Sequence, residues 1–134
     1  MAVINSARFN FAEVVERMLQ DYGYEVMDEV FEGLDEVSKK TVTKLRASSR
    51  NAFPQGSGKY AKGWTRTLER GRLKGYAVIH GSKPSTYALA HLLENGHAKR
   101  NGGRVSGKEH IAPVNDWAQD EAYNTIVAKL EKRL

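Results

Sequence analysis

Cysteine is absent from the 134 residues, which excludes a disulfide framework, a thiol nucleophile and every thiolate metal site. That fits a chain made in a reducing cytoplasm. No apolar run approaches the roughly 20 residues that a membrane span needs, and the opening MAVINSARFNF lacks a basic start followed by a hydrophobic core. A soluble, unsecreted protein with no membrane contact is expected. Acidic residues are nearly missing from the middle of the chain: residues 39–108 carry sixteen Lys and Arg against only Glu69 and Glu94. Residues 1–38 reverse the balance, with Arg8 and Arg17 against nine carboxylates, and residues 109–134 hold three cations against five. The formal net charge of +5 conceals this segmentation. It suits contact with a polyanion, or head-to-tail contact between copies of the chain, where unlike surfaces meet. At this length a single domain spanning residues 1–134 is expected.

The first fifty residues read as helix. Phe11, Val15, Met18, Tyr22, Val26, Val30, Leu34, Val37 and Leu45 recur at three- and four-residue steps or their multiples, lining one face. Gly23 and Gly33 are weak points in that pattern, and a bend is expected near Gly23, giving one long helix or two in line. Acids early and cations late along the helix complement its dipole. Pro54 and the glycines after it end the helix and open a mobile loop over residues 55–62. Residues 64–68 and 76–80 are rich in β-formers and flank a basic, glycine-bearing turn, which predicts a hairpin. Residues 87–94 (YALAHLLE) predict a short apolar helix stopped by Asn95-Gly96. A glycine-rich basic loop follows over 98–108, free to be disordered without a partner. Pro113 then opens a final helix, on which Ala118, Ala122, Ile126, Leu130 and Leu134 repeat every four residues.

Three chemistries suggest themselves. The stretch HLLENGH places His91, Glu94 and His97 close together, but a zinc hydrolase needs histidines four apart on one helical turn. Here they are six apart with Gly96 between them. Histidines bonding locally around a helix cap, and Glu94 paired with a nearby lysine or arginine, are expected instead. Residues 102–108 (GGRVSGK) match the start of a phosphate-binding loop, yet Glu109 stands where a hydroxyl should bind magnesium, and no buried strand precedes the run. Around Lys59, Tyr60, Lys62, Trp64 and Arg66 cations alternate with aromatics, the pattern that grips single-stranded nucleic acid by backbone charge and base stacking. The competing reading buries Tyr60 and Trp64 and leaves the cations on a solvated face. No nucleophile stands beside a base, so an enzyme is not expected, and neither a cofactor nor a metal is called for.

Four pieces then fall in a distinctive order: GKYAKGW (residues 58–64), YALAHLLENGH (87–97), NGGRV (101–105) and HIAP (110–113). Together with the acidic-then-basic N-terminal helix, the chain resembles the putative tail-component family of tailed bacteriophages and prophages, the head–tail joining and tail-completion proteins of lambda-like siphophages. The resemblance implies an α+β fold in which a long N-terminal helix and a C-terminal helix pack on a small antiparallel β-sheet. It implies a non-enzymatic virion assembly protein at the neck or upper tail, assembled in the host bacterial cytoplasm. Its partners would be itself, as a homo-oligomeric ring, and other neck and tail proteins, with a DNA contact in the channel as a further use of the basic loops. Trp64, His91, Glu94, Gly96, His97 and Pro113 are then structural, with Leu92 and Leu93 packed in the core. Lys59, Lys62, Arg66, Arg100, Arg104 and Lys108 are candidates for contact with partner or DNA. The alternative from the charge alone is a small basic nucleic-acid-binding module.

Overall fold

In the computed structural model, residues 8–71 and 75–133 are described. Residues 72–74, the middle of the basic turn expected over 70–75, and Leu134 of the terminal four-residue repeat lie outside them. The fold is α+β. A three-residue strand β1 (Arg8–Asn10) leads into α1 (Ala12–Tyr22), whose start is held by the Asn10 side chain accepting the Ala12 N–H at 3.0 Å. After Gly23 and a short 3-10 turn at Tyr24–Val26 comes the longest element, α2 (Met27–Ala52). Its 26 residues span about 39 Å at 1.5 Å per residue. One turn of helix, α3 (Lys59–Lys62), precedes the hairpin β2 (Trp64–Arg70) and β3 (Gly75–Gly81). Then follow α4 (Pro84–Asn95), a small hairpin of β4 (Gly96–Ala98) and β5 (Arg104–Ser106), and the terminal α5 (Ala112–Arg133).

The main sheet is antiparallel in the order β1-β3-β2, with Phe9 opposite Ile79 and Trp64 opposite Gly81. One sheet face, carrying Phe9, Ala77 and Ile79, is buried against the apolar side of α2, where Val30, Leu34, Val37 and Leu45 lie in the core. A second flank of α2 receives α5 through Ala118, Ala122 and Ile126. The alanines allow the two helices close approach. Gly33, expected as a weak point, is the contact itself: a Cβ there would lie 2.6 Å from a methylene of Ile126. The α2–α5 contact therefore uses small residues where the two helices come close.

The structure redraws several expectations. Helix does not fill the first fifty residues: Arg8–Asn10 forms an edge strand, because its backbone finds Val78 to His80 far along the chain. Tyr22, assigned to the buried stripe, is exposed, since α1 ends there and the stripe restarts with Val26. The break at Gly23 and the hairpin at residues 64–80 stand where the pattern put them. The loop expected over residues 55–62 closes into α3 in its second half, and the basic loop over 98–108 supplies the turn and second strand of the β4–β5 hairpin, with His97 opposite Val105.

Candidate functional site

The motif residues meet at the junction where α2 ends, α4 ends and α5 begins. Glu94 is buried, and its carboxylate accepts the backbone N–H groups of His110 (2.7 Å), Ile111 (3.0 Å) and Ala112 (2.9 Å). Among the described residues it pairs with no lysine or arginine, contrary to the sequence expectation. The start of α5 offers N–H groups without intrahelical partners and a partial positive charge, and a carboxylate from another helix satisfies both. That accounts for a buried acid with no cationic side chain beside it. Pro113, in the first turn of α5, has no N–H to satisfy, which suits it to that position.

His110 is the residue that sequence reasoning passed over. It is 1% exposed, and its Nδ1 lies 2.9 Å from a Glu94 oxygen and 2.8 Å from the Lys108 carbonyl. Both neighbours are acceptors, so Nδ1 carries the proton. The other ring nitrogen, 2.6 Å from the Tyr60 hydroxyl, accepts from it when the ring is neutral. Burial, followed by the nearby Glu94 charge, pushes the Tyr60 phenol well above its ordinary range, so it serves as a hydrogen-bond donor. Phe53 and Tyr60 both pack edge-on against the imidazole. Ser48 donates to the His110 carbonyl at 2.8 Å, tying α2 to the same point. The only sequence clue was the position of His110 at the head of HIAP, immediately before a helix start.

Next to this junction Trp64 is wholly buried, its indole N–H donating to Ser49 at 3.0 Å while Arg46 binds its carbonyl. Tyr60 stacks edge-on to it. The aromatics of the cation–aromatic run thus point inward, which removes them as platforms for bases. Among the buried side-chain nitrogen and oxygen atoms of the described residues none lacks a hydrogen-bond partner. The group Glu94–His110–Tyr60 has the chemical makeup of an acid–base relay, but every atom in it is already committed to the fold.

The remaining residues divide by environment. Gly96 has φ +79° and a Cβ there would meet the Val105 carbonyl oxygen at 2.3 Å, so α4 turns into β4 through a position open to glycine alone. His91 and His97 are exposed and bond locally, to Asn95 and to the Ala98 carbonyl. Among the described residues no three His, Asp or Glu side chains converge as a metal set. Arg66 belongs to the fold, donating to the Asp35 carboxylate and to Ser38, both at 2.8 Å. Arg104 and Lys108 bind the carbonyls of Asn95 and Ala52. Lys59, Lys62 and Arg100 are exposed, and none forms a salt bridge among the described residues.

Charge segmentation is partly used up inside the chain. Asp28 and Asp35 pair with Arg70 and Arg66 on β2, while Glu29 and Glu36 pair with Arg133 and Lys129 on α5. Those carboxylates of α2 already have partners, whereas Lys59, Lys62, Lys99 and Arg100, around α3 and the small hairpin, form no salt bridge among the described residues.

Leu92 also departs from expectation. It is 40% exposed, and Leu89 44%, because α4 turns Thr86, Ala90 and Glu94 inward and leaves its apolar outer face in solvent. Comparison of the chain with family models, with characterised proteins and with solved structures finds no match. No helix among the described residues is long and apolar enough to cross a membrane.

Proposed function

We propose that this chain is a structural assembly protein of a tailed bacteriophage or prophage, working at the neck or upper tail by protein–protein contact in a ring. The observation that carries the reading is the order of the four motifs, GKYAKGW, YALAHLLENGH, NGGRV and HIAP, along one chain. Their geometry supports a scaffold role over a catalytic one: Tyr60, Trp64, Glu94, Gly96 and His110 meet at one junction and fasten α4 and the small hairpin to the long helices. A junction so committed to internal bonds leaves the outer surfaces for function. The test is solution mass by light scattering over a concentration series at low and high salt, together with addition to preassembled tails or capsids. A discrete oligomer, or incorporation into those particles, is expected. A monomer at every concentration that joins neither would overturn the proposal.

The unpaired cations favour a second reading, a small basic nucleic-acid-binding module. It predicts DNA binding that weakens steeply with salt and is lost when Lys59, Lys62 and Arg100 become alanine. Undetectable or salt-independent binding rejects it.

A further inference from the structure

The outer face of α4 is built like an interface. Ser85, Ala88, Leu89 and Leu92 follow the i, i+3, i+4, i+7 spacing of a single stripe, and all four are exposed. Val105, on the hairpin that continues α4, adds a further apolar side chain at 39% exposure. Lys99, Arg100 and Arg104 stand on the same β4–β5 arm. The only acid between Pro84 and Ser106 is Glu94, which is consumed inside. The surface is therefore apolar in its centre and cationic at its border.

A complementary surface lies elsewhere on the same chain. Between α1 and the outer face of the main sheet runs an open groove of about 920 Å³, floored by Phe11, Val15, Leu19, Tyr24, Tyr76 and Val78. Glu16 lines it. From Ala12 to Val26 four exposed carboxylates (Glu13, Glu16, Asp21, Glu25) face one cation, Arg17, whose guanidinium is stacked on Tyr123. Unlike Asp28, Glu29, Asp35 and Glu36 of α2, none of these four makes a salt bridge among the described residues. Arg8, at the groove's sheet side, is the one cation lining it.

We infer that the outer stripe of α4, with its β4–β5 arm, docks into the α1 groove of a second copy of this chain. The apolar parts match in kind, and the acids along α1, with Glu16 at the groove itself, oppose the cations of the arm in sign, which commits the occupant to a copy rather than to an unrelated partner. The two surfaces differ from each other, so the contact is heterologous: each copy offers one of each, and repetition closes a ring or extends a filament. This assignment rests on the assembly reading and gives that reading its contact.

The experiment uses the full chain and two variants, one for each surface: L89E/L92E and E16K/Y24K. Wild type should form an oligomer that loosens with salt. Each variant alone should weaken association by about 30-fold or more, as for loss of an interface centre. Because each retains one intact surface, the two mixed together should form a 1:1 pair and stop there. Charge-only variants K99E/R100E and E13K/E16K, all at exposed positions, repeat the measurement should an apolar replacement disturb folding; each alone should weaken association, and the mixture should recover it. A wild-type oligomer unaffected by both kinds of variant overturns the surface assignment and leaves the assembly reading standing. Variants that each lose association but never pair when mixed overturn it as well. A wild type that is monomeric throughout overturns the assignment, and its binding to preassembled tails then decides the assembly reading separately.

Discussion

Along its inner side α4 delivers Thr86, Ala90 and Glu94 to the interior; along its outer side it holds Ala88, Leu89 and Leu92 in water. The same twelve residues are thus a fastener on one side and an uncovered apolar strip on the other. The inner side shows how one buried carboxylate is tolerated: three backbone N–H groups at a helix start replace its lost hydration. The outer side shows leucines that leave about two-fifths of their surface in water, 44% for Leu89 and 40% for Leu92. Polar groups inside and leucines outside invert the usual order, and both inversions have local causes. The inner one is the unsatisfied start of α5; the outer one, on our assignment, is the neighbouring copy.

This contrast can be broken from the inside first. Glu94→Ala removes acceptors from three N–H groups and strands them at a buried helix start, and a loss of about 3 kcal/mol in urea unfolding is expected. Glu94→Gln, which keeps an acceptor without the charge, should recover part of that loss. Gly96→Ala should cost about 2 kcal/mol, from the left-handed backbone and the collision with the Val105 carbonyl. Because the strain falls where α4 meets the small hairpin, hydrogen exchange should show it as lost protection at β4 and β5 rather than in α2.

Arg66→Ala provides a smaller effect with a pH signature. The Arg66 hydrogen bond holds the Asp35 carboxyl below its usual 3.8. A carboxyl lowered on folding stabilises the fold above its unfolded pKa and loses that contribution as pH falls through its folded pKa. The pair is partly exposed, so the variant should lose about 0.5 kcal/mol at neutral pH. The gap between wild type and variant should narrow as pH drops below 3.8, which a urea series across pH would register. Smallest of all should be the stability change in L89E/L92E, within about 0.5 kcal/mol by the same denaturation, since those side chains face solvent in the single chain. A large loss there would mean that the outer side of α4 belongs to the fold after all.

Local elements were largely legible. The break at Gly23, the hairpin, the α4 stop at Gly96 and the α5 start at Pro113 follow from backbone preferences and period, which depend on neighbours in sequence. Tyr60 and Trp64 were readable as either core or surface, because a lysine-flanked aromatic has the same pattern in both settings. Glu94 was recognised as unusual, but its partner was taken to be a side chain. Its true partners are backbone N–H groups about sixteen to eighteen residues away, and backbone donors leave no letter in the sequence. His110 went unnoticed as a centre for the same reason, since its neighbours come from α2, α3 and the end of α4.

By itself the sequence determined the longer helices, the main hairpin, the absence of thiol chemistry and the separation of acidic from basic segments, all carried by residue type and spacing. Only the tertiary structure decided which charges are spent and which remain. It paired Asp28 and Asp35 with β2, turned Trp64 inward, and left the leucines of α4 and the cations of its arm uncovered. Whether a side chain is a partner or a surface depends on what lies across from it, and that is set when α2 brings together segments more than sixty residues apart.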